Sequence, residues 1–498
     1  GGAGGGADVS MRALLDAVLE VIPAPSVHSY SSSPSDGEGG TAADEVRPAS
    51  SYESDPFSMA ATTVGYDQYL GRTCTGRIYS GSIRASDAVL LLPRGEAYGI
   101  DDPEGGAPPP PPPDRLSKVA ALFVNRGVSR TPLDPPVAVA GDVVTLAGVP
   151  DGTKVGDTVT SADRPVPRPV ETPPLAPPTL SCVFGANDGP LMGREGNVVA
   201  SSKVRDRLFA ETDNNVTLTV TKSETDSEKT MVYGRGELQI GILVEQMRRE
   251  GYELVVSPPR IVTTKCPETG RDMEPFEEVV VDVDRDYSGV VIDAMTGPRK
   301  GALTEMHDDA ADGKTRLVFQ CPSRSLLGFA SEMATATRGT AVMHHCYLED
   351  REWTGLVGTG TEKYKMVSNA SGKATLFALS NLAERGTLFV GVGDEIYPGM
   401  VVGESNRGSD MEVNPVKAKE TSNMRTQSKD EKMYLAPPKK MSVEELIGYM
   451  DDDEIIEVTP KSIRLRKAEL DAGVRQRTAR EKKKRLAAMK EQQLKRGK

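Results

Sequence analysis

No stretch of the 498-residue sequence approaches the roughly 18–20 uninterrupted apolar residues that a membrane-spanning helix needs, so no such helix and no membrane partner are expected. Cysteine is scarce: Cys74, Cys182, Cys266, Cys321 and Cys346 are far apart, odd in number and never in a C-x-x-C arrangement. That pattern reads as reduced thiols rather than a disulfide framework. Histidine is scarcer still, and His28, His307, His344 and His345 have no nucleophile at a recognisable spacing. His344 and Cys346 would share one face of a strand, half of a metal site, but no second cluster completes it and no metal is expected. A phosphate-binding loop is also missing. Ser371-Gly372-Lys373 comes nearest to G-x-x-x-x-G-K-[ST], but position 367 is Val and position 374 is Ala. Without such a loop, Asp286-Tyr287-Ser288-Gly289 reads as a surface turn. Asp451-Asp452-Asp453-Glu454 lacks the spaced oxygens and the glycine of a calcium loop and reads as a solvated acidic turn. No catalytic residues are assigned.

Charge is plentiful but unevenly placed. The net charge of −12 combines 72 acidic with 60 basic residues. From position 475 to the end there are 11 Lys/Arg against Glu481 and Glu491, or +9, so the rest of the chain sums to −12 − 9 = −21. A second basic stretch carries Lys417, Lys419, Arg425, Lys429, Lys432, Lys439 and Lys440 among Asn, Thr and Ser, and Arg464, Arg466 and Lys467 follow. A basic loop on a folded domain suits a phosphate backbone, where each neutralised phosphate releases counterions. An ordinary solvated loop has the same composition, and composition alone leaves the two readings even.

The chain reads as a multidomain α+β protein. Residues 11–22 form a short amphipathic helix with Leu14, Leu15, Val18 and Leu19 on one face, stopped by Pro23-Ala24-Pro25. The Ser/Gly/acid-rich stretch 26–58 is expected to be a disordered insertion. Short β-rich runs over 59–164 predict a β-barrel, interrupted at 98–114 by a loop with a hexaproline run that cannot donate to a sheet. The linker 165–178 leads into two units, 179–257 and 258–347, each reading β-α-β-β-α-β, the ferredoxin-like plan. The first carries a helix at 236–250 with Ile240, Leu243, Val244 and Met247 on one face; the second carries a helix at 325–336. A mixed domain over 348–470 follows, with strands expected at 374–379 and 387–392 and a helix opened by the capping box Ser442-Val443-Glu444-Glu445. A basic tail, 471–498, ends the sequence.

These strings resemble the TypA/BipA family of translational GTPases, relatives of elongation factor G. Leu14-Leu15-Asp16-Ala17-Val18 with Ile22-Pro23-Ala24-Pro25 is similar to the last helix of that family's GTP-binding domain. Gly71-Arg72-Thr73-Cys74-Thr75-Gly76-Arg77-Ile78, Ala140-Gly141-Asp142-Val143-Val144 and Val155-Gly156-Asp157-Thr158 resemble its second, barrel domain. Gly234-Arg235-Gly236-Glu237-Leu238 resembles the signature of its third domain, with Gln239 where His is usual. Glu250-Gly251-Tyr252-Glu253-Leu254 and Pro322-Ser323-Arg324-Ser325-Leu326-Leu327-Gly328-Phe329 are close to family strings, Ser325 replacing Gly. Most diagnostic are Thr421-Ser422-Asn423-Met424-Arg425 and the run from Asp451 through Glu457-Val458-Thr459-Pro460, which resemble the C-terminal domain confined to this family. Elongation factor G inserts a domain between its two ferredoxin-like units, whereas here Ser257 leads almost directly into the second. LepA also lacks that insert, but its C-terminal domain reads differently.

The resemblance implies a ribosome-dependent GTPase in the factor site, contacting rRNA and tRNA, with roles in stress adaptation and large-subunit assembly. It also implies GTP and Mg2+ as cofactors of the full-length protein and none for this chain alone. The basic loop is where RNA contact carries over. A stand-alone RNA-binding module without nucleotide chemistry, or a LepA-like factor, is the alternative. The unpartnered helix 11–22 points to a GTP-binding domain upstream. A monomer is expected. The insertions favour an organellar copy: chloroplast stroma first, then mitochondrion, then bacterial cytoplasm.

Overall fold

The computed structural model describes residues 11–22, 26–27, 47–48, 55–67, 69–96, 111–127, 129–172, 176–215, 217–223, 226–266, 268–309, 313–355, 363–418, 435–478 and 480–481. The insertion expected at 26–58, most of 98–114 and the end of the basic tail lie largely outside these residues. The chain is α+β and divides into two units, 1–175 with 210–216, and 176–209 with 217–498. No helix among the described residues is long and apolar enough to cross a membrane.

The first unit begins with the helix Met11–Val21. Its Leu15, Leu19, Val21 and Ile22 are each more than half exposed, as the apolar face of an amphipathic helix is where no partner among the described residues covers it. An eight-stranded antiparallel sheet follows, built around the long strands Ser58–Asp67 and Gly71–Ser80. Alternate residues, among them Cys74, Ile78, Val144, Leu146 and Val159, fill its core. The expected β-barrel is corrected here to an open sheet. Its edge strands, Leu116–Lys118 and Ser129–Pro132, each pair with one neighbour and not with each other. Both edges are three or four residues long, and Pro132 has no N–H to offer a further strand, so closure lacks the ladder it needs.

In the second unit the β-α-β-β-α-β order appears twice. The first copy runs through Leu180–Ala186, Ser201–Asn214, Thr219–Lys222, Thr230–Gly234, Glu237–Arg249 and Leu254–Val256. Taken in chain order, its strands lie 2-3-1-4 across the sheet. Helix Glu237–Arg249 buries Ile240, Leu243, Val244 and Met247, the face its periodicity predicts. The second copy has strands Asp272–Asp284, Ala302–Asp309, Lys314–Pro322 and Val342–Glu352, again ordered 2-3-1-4, with helices Ser288–Thr296 and Phe329–Ala336. This second helix starts later than expected because Gly328 adopts φ +67 and closes a short 3-10 turn, Ser323–Ser325, before it.

One feature escapes any reading by segments. Strands Glu454–Val458 and Ile463–Lys467 continue the sheet of the first copy: Leu254 pairs with Val458, and Val256 with Ile456. Val443, Leu446, Ile447, Ile456 and Leu465 therefore share one core with Leu180–Met247 positions such as Phe184, Leu208 and Leu243. Helix Val443–Tyr449 carries the predicted capping box: Ser442 Oγ accepts from Glu445 N, and Glu445 Oε2 accepts from Ser442 N at 2.8 Å. At this helix Gly448 meets Gly328 backbone to backbone; a Cβ on Gly448 would stand 2.6 Å from Gly328 Cα. Glu237 Oε2 closes the contact by accepting from Gly328 N at 3.2 Å.

Beside this junction, His345 Nδ1 lies 2.5 Å from Glu277 Oε2. The hydrogen bond to Glu277 raises the imidazole pKa above 6.5, against the opposing effect of burial. A raised folded-state pKa gives stability that is complete below the unfolded value and lost as pH rises through the folded one. Replacing His345 with Gln is therefore expected to destabilise the protein most below pH 6.5, the gap from wild type closing at alkaline pH. Urea midpoints across a pH series check this; a gap that is constant with pH would contradict it.

Candidate functional site

The remaining part of the second unit is a four-stranded sheet, Gly386–Leu388, Val401–Ser405, Tyr364–Ser368 and Met411–Val413 in spatial order, with helix Leu376–Ala383 packed on it. The strand expected at 374–379 is thus a helix. Thr375 caps it, its hydroxyl accepting from Ala378 N, and Ala378, Leu379 and Leu382 fall on the buried face.

Both ends of the basic segment are fixed to one end of this domain. On the entering side, Thr375 N donates to Pro415 O at 3.1 Å, and Thr375 Oγ1 donates to Lys417 O at 2.6 Å. Val416 lies against Gly372, where φ is +140 and a Cβ would come within 2.7 Å of the valine. On the leaving side, Lys439 N donates to Leu388 O at 2.8 Å, and Leu435 packs on the core around Leu379 and Val402. The entering anchor is tied to the stretch that follows Leu388: Ala374 N donates to Asp394 O, and Gly372–Lys373 pairs with Glu395–Ile396.

Lys417, Lys439 and Lys440 are each exposed, and so is Lys373 in the strand pair beside the entering anchor. None of the four has a carboxylate partner within ion-pair distance among the described residues. Sequence reasoning dismissed Lys373 with the failed phosphate loop; its proximity to the anchors is a tertiary fact. Lys419, Arg425, Lys429 and Lys432 lie outside the described residues.

Arg464, Arg466 and Lys467, grouped with the loop on sequence, point elsewhere. Arg464 pairs with Glu195 at 2.8 Å and Glu457 at 3.2 Å. Arg466, 1% exposed, pairs with Asp188 and lies 3.8 Å from Glu457. Lys467 contacts Asp453 at 3.0 Å, Glu454 at 3.1 Å and Asp410 at 3.4 Å. Burial opposes its charge, but these three carboxylates outweigh it and raise the ammonium pKa. The three cations are removed from the candidate surface: presenting them to phosphate would strand buried carboxylates. The acidic turn at 451–454 follows the helix as expected, with its three aspartates exposed, and departs from the expectation only at its last residue. Glu454 is fully buried, and Asp451 lies 3.7 Å from the buried Lys365 Nζ, which sits 3.3 Å from the Tyr449 ring centroid.

Among the described residues no group of three or more His, Cys, Asp or Glu is placed to hold a metal ion. The string nearest to a phosphate loop does not fit a nucleotide either: Asn369 N donates to Val413 O, Ala370 N to Ser368 Oγ, and Gly372–Lys373 is engaged in a strand pair. Its amides form no cradle.

Comparison with known proteins agrees with this anatomy. The family model for the TypA/BipA C-terminal domain matches residues 363–472, and that for the elongation factor G C-terminus matches 271–357. A Synechocystis protein named large ribosomal subunit assembly factor BipA is 37% identical over 424 residues, covering 85% of this chain and 66% of the relative. The Escherichia coli K12 protein of the same name is 37% identical over 426 residues, with the same coverage. That of Bacillus subtilis is 33% identical over 477 residues, covering 96% of this chain and 70% of the relative. The chain thus spans just under two thirds of the first two relatives. Similarity sustained over so much of both chains means that this chain belongs to the TypA/BipA family.

Proposed function

We propose that this chain is the ribosome-binding part of a TypA/BipA-type translational GTPase that acts in assembly of the large ribosomal subunit. The observation that carries the reading is the set of exposed lysines, Lys373, Lys417, Lys439 and Lys440, without a carboxylate partner among the described residues, at the two anchored ends of a basic segment. It lies in the domain that matches the TypA/BipA C-terminal family. A charged segment held at both ends offers a polyanion several cations at little ordering cost.

In this reading the open sheet of the first unit corresponds to the barrel domain of elongation factors, and the two β-α-β-β-α-β copies to their ferredoxin-like domains. The exposed helix Met11–Val21 would then pack on a GTP-binding domain that supplies nucleotide and Mg2+ chemistry; the string Ser371-Gly372-Lys373 forms no phosphate cradle. Contact with rRNA and with tRNA, a role under stress, a monomeric state and an organellar location, plastid before mitochondrion or bacterial cytoplasm, belong to the same proposal. The insertions at 26–58 and 98–114 support the organelle.

The test is co-sedimentation of the full chain with purified ribosomal subunits over a salt series. Binding to large subunits, with log K falling linearly against log salt concentration, is expected; small subunits alone should bind less. No pelleting with large subunits at low salt would end this reading.

A further inference from the structure

Trp353 is the chain's only tryptophan, and it is 45% exposed. It is also held firmly. Its backbone N donates to Asp272 O at 3.1 Å, continuing the pairing of the strand Val342–Glu352 with Asp272–Asp284. Beneath one face of the indole lies the Arg324 guanidinium, its Cζ 3.9 Å from the ring centroid. That guanidinium is fixed in turn by the fully buried Glu274, with Nε to Oε2 at 2.6 Å and Nη2 to Oε1 at 3.0 Å. Thr354 ties the two together, accepting from Arg324 Nη2 at 3.0 Å and donating from both N and Oγ1 to Glu274 Oε1 at 2.8 Å. Lys300 Nζ donates to Thr354 O at 2.6 Å and meets no carboxylate among the described residues. The indole Nε1 has no protein acceptor among them either.

A rigid aromatic ring with one face covered and much of its surface open contributes little to a core. Its preorganisation suits a ligand, because the ordering cost has already been met by Glu274 and Arg324. The guanidinium decides which ligand. A cation on the open face would oppose Arg324 across the ring and Lys300 beside it, which disfavours an arginine or lysine of a protein partner. A neutral planar ring carries no such penalty, and an anion attached to it gains from Lys300. Those are the two halves of a nucleotide.

We propose that Trp353 is a base-stacking platform for an unpaired RNA nucleotide, the base lying on the open indole face and its phosphate meeting Lys300. The platform is separate from the basic segment of the C-terminal domain, and it rests on the ribosomal reading only for the source of the RNA.

Because no other tryptophan is present, intrinsic emission reports on this ring alone. The full chain is titrated with fluorophore-labelled single-stranded oligoadenylate and with an RNA duplex of equal length, following both anisotropy and tryptophan emission. Quenching by the single strand and not by the duplex is expected, since paired bases have no free face to offer. Trp353→Ala should weaken single-strand binding about tenfold, while Trp353→Phe, which keeps a stacking ring, should stay within about threefold of wild type. Unchanged circular dichroism of both variants guards against misfolding. Binding without quenching, equal affinities for wild type and Trp353→Ala, or no binding of either RNA each overturn the platform. Wild-type pelleting with large subunits, measured alongside, shows whether the ribosomal reading survives that failure.

Discussion

Replacing Glu457 with alanine is expected to destabilise the second unit by about 3–5 kcal/mol, the range for stranding a buried charge. Glu457 is fully buried on the strand Glu454–Val458. Its Oε2 accepts from Tyr397 Oη at 2.6 Å and faces Arg466 Nε at 3.8 Å, while its Oε1 accepts from Arg464 Nη1 at 3.2 Å. One carboxylate thus answers two guanidinium groups, one of them 1% exposed, and a phenol. The loop preceding helix Ser201–Asn214 depends on the same cations. Glu195 pairs with Arg464 and also accepts from Thr459 Oγ1 at 2.7 Å, Ser462 Oγ at 3.2 Å and Lys461 N at 3.2 Å. Burial works against the charge on Glu195, but its bonds from Thr459 and Arg464 prevail and hold its pKa below the usual carboxylate range. In Glu457→Ala, Arg464 keeps Glu195, whereas the one carboxylate left to Arg466 among the described residues is Asp188, whose side chain is 73% exposed. The measurement is the urea midpoint of the variant at constant m-value, and a loss below about 1 kcal/mol would mean that Glu195 and Asp188 suffice. Glu457→Gln, which retains acceptors but not charge, should fall between the two proteins.

What the sequence made legible follows from which forces are local. The two β-α-β-β-α-β runs were readable because apolar alternation and a helical stripe such as Ile240-Leu243-Val244-Met247 are set by neighbours in the chain. The capping box at Ser442 was readable for the same reason. The segment 374–379 misled because Ala-Thr-Leu-Phe-Ala-Leu suits a strand as well as a helix; the Thr375 cap and the core around Leu379 decide it. The open first sheet depends on strand-edge pairing, which no local pattern encodes. Arg464, Arg466 and Lys467 were grouped with the basic segment because they follow it closely in the sequence. The register Glu454↔Lys467 and Glu457↔Arg464 shows the missed signal: two strings of opposite charge, five residues each, separated by a turn. Read as a hairpin, they predict cross-strand ion pairs rather than free cations. Lys373 lacked any such signal, since it reaches Lys417 only through the tertiary contacts of its neighbours, Gly372 against Val416 and Thr375 with the carbonyls of Pro415 and Lys417.

Reversing Lys417, Lys419 and Arg425 to glutamate should lower affinity for large subunits by two to three orders of magnitude, roughly, at low salt, and flatten the salt dependence. Each phosphate contact contributes about 0.9 to the slope of log K against log salt, so losing three removes about 2.7. Reversal also places repulsion where attraction stood, which adds to the loss when salt is low and disappears as the Debye length shrinks. Affinities of wild type and variant should therefore converge toward high salt. The fold should not suffer: Lys417 is exposed, and it is its backbone carbonyl, unaltered by substitution, that accepts from Thr375. The pair Arg477 and Arg480, exposed near the start of the basic tail, provides the control for net charge. If reversing those two weakens binding as much, per charge, as reversing the segment, a general field rather than a located contact governs association. If neither reversal changes pelleting across the salt series, the segment is not where this chain meets RNA.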